Sequence, residues 1–449
     1  MKLEDIRVSV CLTDQEHIAR TQEALRTHYF ADQRPWVVAY SGGKDSTLVL
    51  QLVYELLIDL GPRARKPVHL VASDTRVEAP NVEEYLADRL SRVASHARAN
   101  GLRLLVHRVQ PTPEQSFWGN LIGKGYPSPT RWFRWCTTKM KIKPSRAVID
   151  DIVRAHGGVV LLLGTRLDES ADRAQRMDGR ATNSRGLNPH GEIPDALVMT
   201  PIAEWTTEQV WEYLFTRNPP PWGGTHDFML DLYRQASGGE CPVVLDLNTP
   251  SCGGSRFGCW TCTVVKQDKS MRGFIDSGAT WMQPLNEFRN WLKEIREDAS
   301  KRDGIRRNDS IGPGPFSSET RKLILRRLLE LEKTVGRRLI ADAEIAYIQQ
   351  QWTDKFDVTD SALGIAREFA REVGNVTITV NDLSKDLALI EELAPRFEVQ
   401  SVWAADLYSL VSERQSLLDH PSTRQQLLDE IIKVVDNAVR QAHRTDPAA

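Results

Sequence analysis

The chain has 449 residues, 41% hydrophobic and 26% charged, with a formal net charge of −2. At ~150 residues per domain this is a soluble globular protein of two or three domains, and its charge excludes a global pull on nucleic acid. No run of ~18 apolar residues occurs, which excludes a membrane-spanning helix.

Residues 1–34 read as a polar helical extension, and Met1-Lys-Leu-Glu-Asp5 lacks an apolar signal core, so a cytoplasmic location is expected. Trp36–Tyr40 then reads as a buried strand. Ser41-Gly42-Gly43-Lys44-Asp45-Ser46 follows as a tight turn, and Leu48, Leu52, Val53 and Leu56 recur at helical spacing from about Ser46 onward. Strand, glycine turn and helix start together form an anion site. Glycine lets the backbone approach a phosphate, consecutive N–H groups converge on it, and the helix dipole favours its charge. Lys44 adds a point charge, and Ser41 and Ser46 add hydroxyl donors. A Walker A loop is disfavoured, because Val38 stands where its first Gly belongs and Asp45 follows the Lys.

Strands 68–73 and 102–109 and helices 46–60 and 81–98 complete a βαβαβ unit, which predicts a parallel sheet with right-handed crossovers. Ligands of such sheets bind at the carboxyl ends of the strands. Asp74 and Thr75 stand at one such end, where they are expected to meet a nucleotide or carry a Mg²⁺-linked carboxylate. Residues 111–130 are rich in Pro, Gly and aromatics and read as an ordered excursion over the site. In Arg131–Arg146 six of sixteen residues are basic (Arg131, Arg134, Lys139, Lys141, Lys143, Arg146), none is acidic, and three aromatics are interleaved. Arginine forks suit phosphate oxygens and aromatic faces stack bases. The positive field is expected to lower the pKa of Cys136 and favour its thiolate. Strand 159–163 ends in Gly164-Thr-Arg166, with Arg173 farther on. Thr206 or Thr207 is expected to cap the next helix.

Six cysteines in a large intracellular chain argue for metal or catalytic use rather than disulfides. Cys241, Cys252, Cys259 and Cys262 lie in one glycine-rich stretch, which suits either Zn²⁺ or a [4Fe–4S] cluster, the uneven spacing leaning to iron–sulfur. Helices are expected over 281–298 and 317–350, and mostly helix beyond 351, with no catalytic constellation there. The organisation expected is 1–34 extension, 35–235 core, 236–270 cluster loop and 271–449 helical region.

Ser-Gly-Gly-Lys-Asp-Ser resembles the signature of the PP-loop ATP pyrophosphatases. That resemblance implies an α/β fold of the adenine nucleotide α-hydrolase type: a parallel sheet with helices on both faces and ATP cleaved between its α and β phosphates. Arg134-Trp-Cys-Thr-Thr-Lys139, Gly164-Thr-Arg166 with Glu169-Ser170, and Pro201 through Trp205-Thr206 to Trp211 resemble the PAPS-reductase branch. Two departures count against PAPS reduction itself: Arg76, where those reductases usually carry Gly, and the missing C-terminal catalytic-Cys motif. Adding Gly258-Cys-Trp-Thr-Cys-Thr-Val-Val265 and Asp74-Thr-Arg-Val-Glu-Ala-Pro80, the chain is similar to the DndC-type sulfurtransferases of DNA phosphorothioation. This resemblance implies ATP with Mg²⁺, a [4Fe–4S] cluster on the four cysteines, and DNA, a cysteine desulfurase and companion Dnd-type proteins as partners. It implies catalytic roles for Lys44, Asp45, Cys136 and Arg166, ATP contacts from residues 41–46, Asp74, Thr75, Gly164 and Arg166, and DNA contacts from Arg131, Arg134, Lys139, Lys141 and Arg173. Alternatives are an SspD-like single-strand enzyme, a tRNA thiolation enzyme, a sulfonucleotide reductase, or a non-enzymatic nucleotide-gated iron–sulfur subunit.

Overall fold

The computed structural model describes residues 3–167, 187–236, 258–306, 310–357 and 359–374. The chain divides into two compact units: residues 1–111 with 131–286, and residues 112–130 with 287–449.

In the first unit, helix α1 (Leu3–Phe30) leads into strand β1 (Trp36–Tyr40) and helix α2 (Lys44–Leu60). Strand β2 (Val68–Ser73), helix α3 (Pro80–Ala99) and strand β3 (Leu104–Val109) follow. After residue 131 come helix α4 (Lys143–His156), strand β4 (Val159–Leu162), and two short strands, β5 (Asn188–Pro189) and β6 (Ala196–Met199). Helices α5 (Thr207–Thr216), α6 (Asp227–Ala236) and α7 (Lys269–Asp276) end the unit.

The sheet has six strands in the order β3-β2-β1-β4-β6-β5. All pairs are parallel except the edge pair β5–β6. Alternation along each strand sends side chains to two cores. Trp36, Val38 and Tyr40 of β1, Leu70 of β2, and Val160 and Leu162 of β4 join α2, α3, α5 and α6 on one face. Val37, Val71, Val159 and Leu161 pack with Ile152 of α4 on the other. Each fully buried Leu, such as Leu48 or Leu52, contributes roughly 2 kcal/mol. The expected helix-covered parallel sheet is therefore present. The strand pair β5–β6 was not read in the sequence, and α2 starts at Lys44, two residues before its expected beginning.

His156 closes α4 and its ring lies 6.4 Å from that of His69, near the start of β2. Helix α4 thus runs back along the sheet, and its first residues stand at the carboxyl ends of the strands. That is where a ligand of an open α/β sheet binds.

The second unit is helical: α8 (Gln283–Glu297) from residue 287 on, α9 (Ser318–Val335), α10 (Asp342–Thr353) and α11 (Ser361–Glu368). The Gly- and Pro-rich segment 112–130 belongs to this unit. Trp118 Nε1 donates to the Leu339 carbonyl and Trp352 Nε1 to that of Ile122, at 2.7 and 3.0 Å. The remaining helical expectation, 375–449, lies outside the described residues.

Candidate active site

Three carboxyl-end turns converge. The first is the glycine turn after β1. Gly42 has φ +77, a left-handed conformation that favours glycine, and Gly43 is the N-cap of α2 with no side-chain cap of its own. The Ser46 hydroxyl donates to the Gly43 carbonyl at 3.0 Å and accepts from Ser41 N–H at 3.2 Å. The Ser41 and Ser46 hydroxyls are 3.1 Å apart. The turn is therefore closed by its own serines, with the start of α2 carrying the positive end of a helix dipole. The Lys44 ammonium lies 2.8 Å from Asp45 Oδ2 and 5.6 Å from the centre of the Tyr233 ring. Tyr233 also accepts from Lys44 N–H at 3.3 Å. Sequence reasoning missed this tyrosine. Its only sequence signal is a place on the inner face of α6.

The second turn follows β4. Arg166 is 2% exposed, and its Nε donates to Asp45 Oδ1 at 2.7 Å. Its other nitrogens donate to the Trp205 carbonyl at 3.0 Å and the Thr207 hydroxyl at 2.9 Å. Asp45 is thus held between Lys44 and Arg166, and its visible work is to brace the turn. A Cβ on Gly164 would stand 2.9 Å from the Asp45 carbonyl carbon and 3.0 Å from Ser46 N. Glycine is needed there because two backbones touch. Glu169, Ser170 and Arg173 lie outside the described residues.

The third turn follows β2. Asp74 is 1% exposed and accepts from Arg76 N–H at 2.9 Å, Arg108 Nε at 2.7 Å and Gln110 Nε2 at 2.7 Å. Arg76 has φ +63, so the residue that replaces the reductases' Gly retains a glycine-like backbone. Thr75 donates to Glu78 at 2.6 Å and lies 3.3 Å from Cys259 Sγ.

Glu78 and Cys259 form an isolated antiparallel bridge, and Trp260 N–H donates to the Val77 carbonyl at 2.9 Å. This brings the Cys259–Cys262 turn against the end of β2. Cys136, Cys259 and Cys262 form no disulfide among the described residues. Cys136 precedes a π-helical turn, Thr137–Ile142, that runs into α4. Lys141 is held above its ordinary range, first by Cys259 and then, against its own burial, by Glu78, Cys136 and Cys262. One lysine therefore senses all three thiols. Burial pushes the Cys259 thiol up to about 12, with Glu78 adding to the effect. Burial and Cys262 also push Cys136 up, against the expectation of a lowered value. The basic residues around Cys136 point largely to solvent, where water screens them, while the thiol itself is desolvated.

Cys262 bears electrostatically on both Cys136 and Cys259, and thiols that share one neighbourhood are of the donor type that suits a soft metal or an iron–sulfur cluster. Among the described residues no group of three or more His, Cys, Asp or Glu stands arranged to hold a metal ion. Cys241 and Cys252 lie outside the described residues. Of the expected basic contacts, Arg131 and Arg134 are exposed, Lys139 is half-buried, and Lys141 is exposed along its side chain as a whole although its ammonium is partly desolvated. No helix among the described residues is long and apolar enough to cross a membrane.

Comparison with known proteins places this arrangement. The chain is 24% identical over 280 residues to an uncharacterized protein of Methanocaldococcus jannaschii, a match covering 60% of this chain and 47% of that one. It thus spans about half the length of that relative. Among solved structures, a Candida glabrata FMN adenylyltransferase overlaps 72% of this chain and 80% of its own, with TM-score 0.30 and 14% identity. A yeast FAD synthetase bound to FAD overlaps 46% and 60%, with TM-score 0.26 and 15% identity. Residues 35–265, which hold all three turns and five of the six cysteines, match the phosphoadenosine phosphosulfate reductase domain, and the chain belongs to that PP-loop family.

Proposed function

We propose that this protein is an ATP pyrophosphatase that activates a DNA backbone phosphate and replaces a non-bridging oxygen by sulfur. The observation that carries the reading is the Cys259–Cys262 turn lying against the turn after β2, with Thr75 3.3 Å from Cys259 Sγ and with Cys136 and Lys141 in electrostatic reach. A nucleotide loop alone suits any adenylating enzyme. A cluster of thiols beside it supports sulfur as the incoming atom.

In this reading the residue 41–46 turn and the start of α2 hold the β and γ phosphates of ATP. Lys44 leaves Asp45 for the phosphates, and Arg166 keeps Asp45 in place. Asp74 and Thr75 face the nucleotide, with Mg²⁺ on the phosphates. A DNA phosphate oxygen attacks the α-phosphorus, a P–O bond forms, and pyrophosphate leaves with the electron pair. Hydrosulfide then attacks the DNA phosphorus. The bond to AMP breaks, AMP departs with the original oxygen, and the sulfide proton passes to solvent. Arg131, Arg134 and Arg173 offset the charge that builds up in both steps. A cysteine desulfurase supplies sulfur as a persulfide, and a thiol reductant releases it as hydrosulfide. Companion modification proteins present the DNA. Cys259 and Cys262, with Cys241 and Cys252, would hold a [4Fe–4S] cluster, or Zn²⁺ as the alternative, with Cys136 as relay thiol or spare ligand. When bound, such a group supplies a thiophilic site for the incoming sulfur.

The test is turnover with ATP, DNA and sulfide. AMP, pyrophosphate and phosphorothioate-linked dinucleotides are expected, and Lys44→Ala abolishes all three. ADP as product would overturn the reading. Sulfite release from a sulfonucleotide, without phosphorothioate, would instead favour the reductase reading that the family match supports.

A further inference from the structure

We propose that Trp132 and Phe133 form a stacking platform for an unpaired base, so that the DNA taken by this site is single-stranded or locally opened. The inference rests on the reading of DNA as the acceptor and adds which form of DNA it is.

Trp132 is 93% exposed and Phe133 45% exposed, while Trp135, three residues on, is 7% exposed. Exposing a whole indole to water is unfavourable, and side chains of this size are normally at least half-buried. Here Trp135 anchors the segment to the protein and Trp132 faces outward, with Phe133 half-exposed beside it. Their surroundings are cationic. Arg131 and Arg134 are exposed, and neither forms an ion pair among the described residues. No acidic residue occurs between Arg131 and Ile149. The charge therefore matches a polyanion. Exposed aromatics beside exposed arginines match one whose flat apolar faces are accessible. Duplex DNA hides those faces inside its stack, whereas a single strand offers them.

Position supports the same conclusion. Cys136 follows Trp132 by four residues and lies in the electrostatic reach of Cys262. The segment leads through the π-helical turn into α4, whose start stands at the carboxyl ends of the strands. A base held on Trp132 would keep its own backbone phosphate next to the basic segment and close to the thiols.

The experiment uses the full chain and three labelled 12-nucleotide probes of one mixed sequence: single-stranded DNA, duplex DNA and RNA. Binding is read by fluorescence anisotropy at two salt concentrations. Wild type is expected to prefer the single DNA strand. Trp132→Ala should weaken it about tenfold with little change for duplex, as loss of one stacked base implies, and Trp132→Phe should restore most of the loss. Arg134→Gln should weaken all probes and flatten the salt dependence. Unchanged single-strand binding by Trp132→Ala, equal loss for duplex, or tighter binding of RNA than of DNA would each overturn the proposal. Pyrophosphate release is measured on the same samples. Binding that depends on Trp132 without turnover retains the platform and removes the activity. Turnover that ignores Trp132 does the reverse.

Discussion

Arg166 donates through Nε to Asp45 Oδ1 at 2.7 Å, and so ties the turn after β1 to the turn after β4. Its remaining nitrogens are taken by Trp205 and Thr207, at the start of α5. A buried guanidinium with fixed acceptors on two elements is a rigid strut, because its donors form one planar fork.

Arg166→Ala should cost about 3 kcal/mol, the lower end for breaking a buried pair, since Asp45 retains some solvent and its contact with Lys44. Arg166→Lys retains the charge but not the fork, and should recover less than half. Urea unfolding measures both. The ATP affinity of each variant should fall further than its stability, because the loose turn no longer presents its N–H groups together.

Gly164→Ala addresses the same junction without removing a charge. The added methyl would meet the Asp45 carbonyl carbon at 2.9 Å and its oxygen at 3.0 Å, both backbone atoms that no rotamer change can clear. Over-packing of this kind costs about 1–3 kcal/mol. The expected outcome is a folded protein with weakened ATP binding, seen by calorimetry. Unchanged nucleotide affinity would mean that the turn tolerates a shift.

The sequence made the glycine turn legible because its chemistry is local: two glycines, a lysine and two serines between a strand and a helix. The three turns could be assigned to one edge because βαβ crossovers put every carboxyl end on the same side. What stayed hidden depends on distance in the chain. Tyr233 reaches Lys44 across 189 positions, and its helical register marks it as an inner-face residue of α6 but not as a partner of the turn. Strands β5 and β6 are too short to show a period. The direction of the Cys136 shift was misread because neighbouring charges are visible in a sequence and burial is not.

Acid should destabilise the first unit through its buried histidines. Burial lowers His69 to about 4, with His107 and His156 adding to it, and burial and Arg89 lower His226 to about 4. Both are neutral in the fold and have an ordinary value of 6.5 when exposed. As pH falls below 6.5, the unfolded chain takes up these protons first, so stability drops until about pH 4. By pH 5 the loss is about 2 kcal/mol per histidine. Urea unfolding at pH 7 and pH 5 measures it. His69→Gln should remove part of the difference.

In the second unit, Arg371 joins three acceptors. It lies 2.6 Å from Asp342 and 2.8 Å from Glu332, and it donates to the Ile340 carbonyl. Its side chain is 6% exposed and that of Glu332 11% exposed, so Arg371→Met would strand a carboxylate and a carbonyl away from water. The expected loss is about 3 kcal/mol, held to the low end because Asp342 is half exposed. Arg326–Glu368, at 2.9 Å but with both side chains about half exposed, provides the contrast. Arg326→Ala should cost under about 1 kcal/mol, because water already screens that pair. Scanning calorimetry of both variants separates the two cases. Equal losses would mean that burial does not set the strength of these contacts.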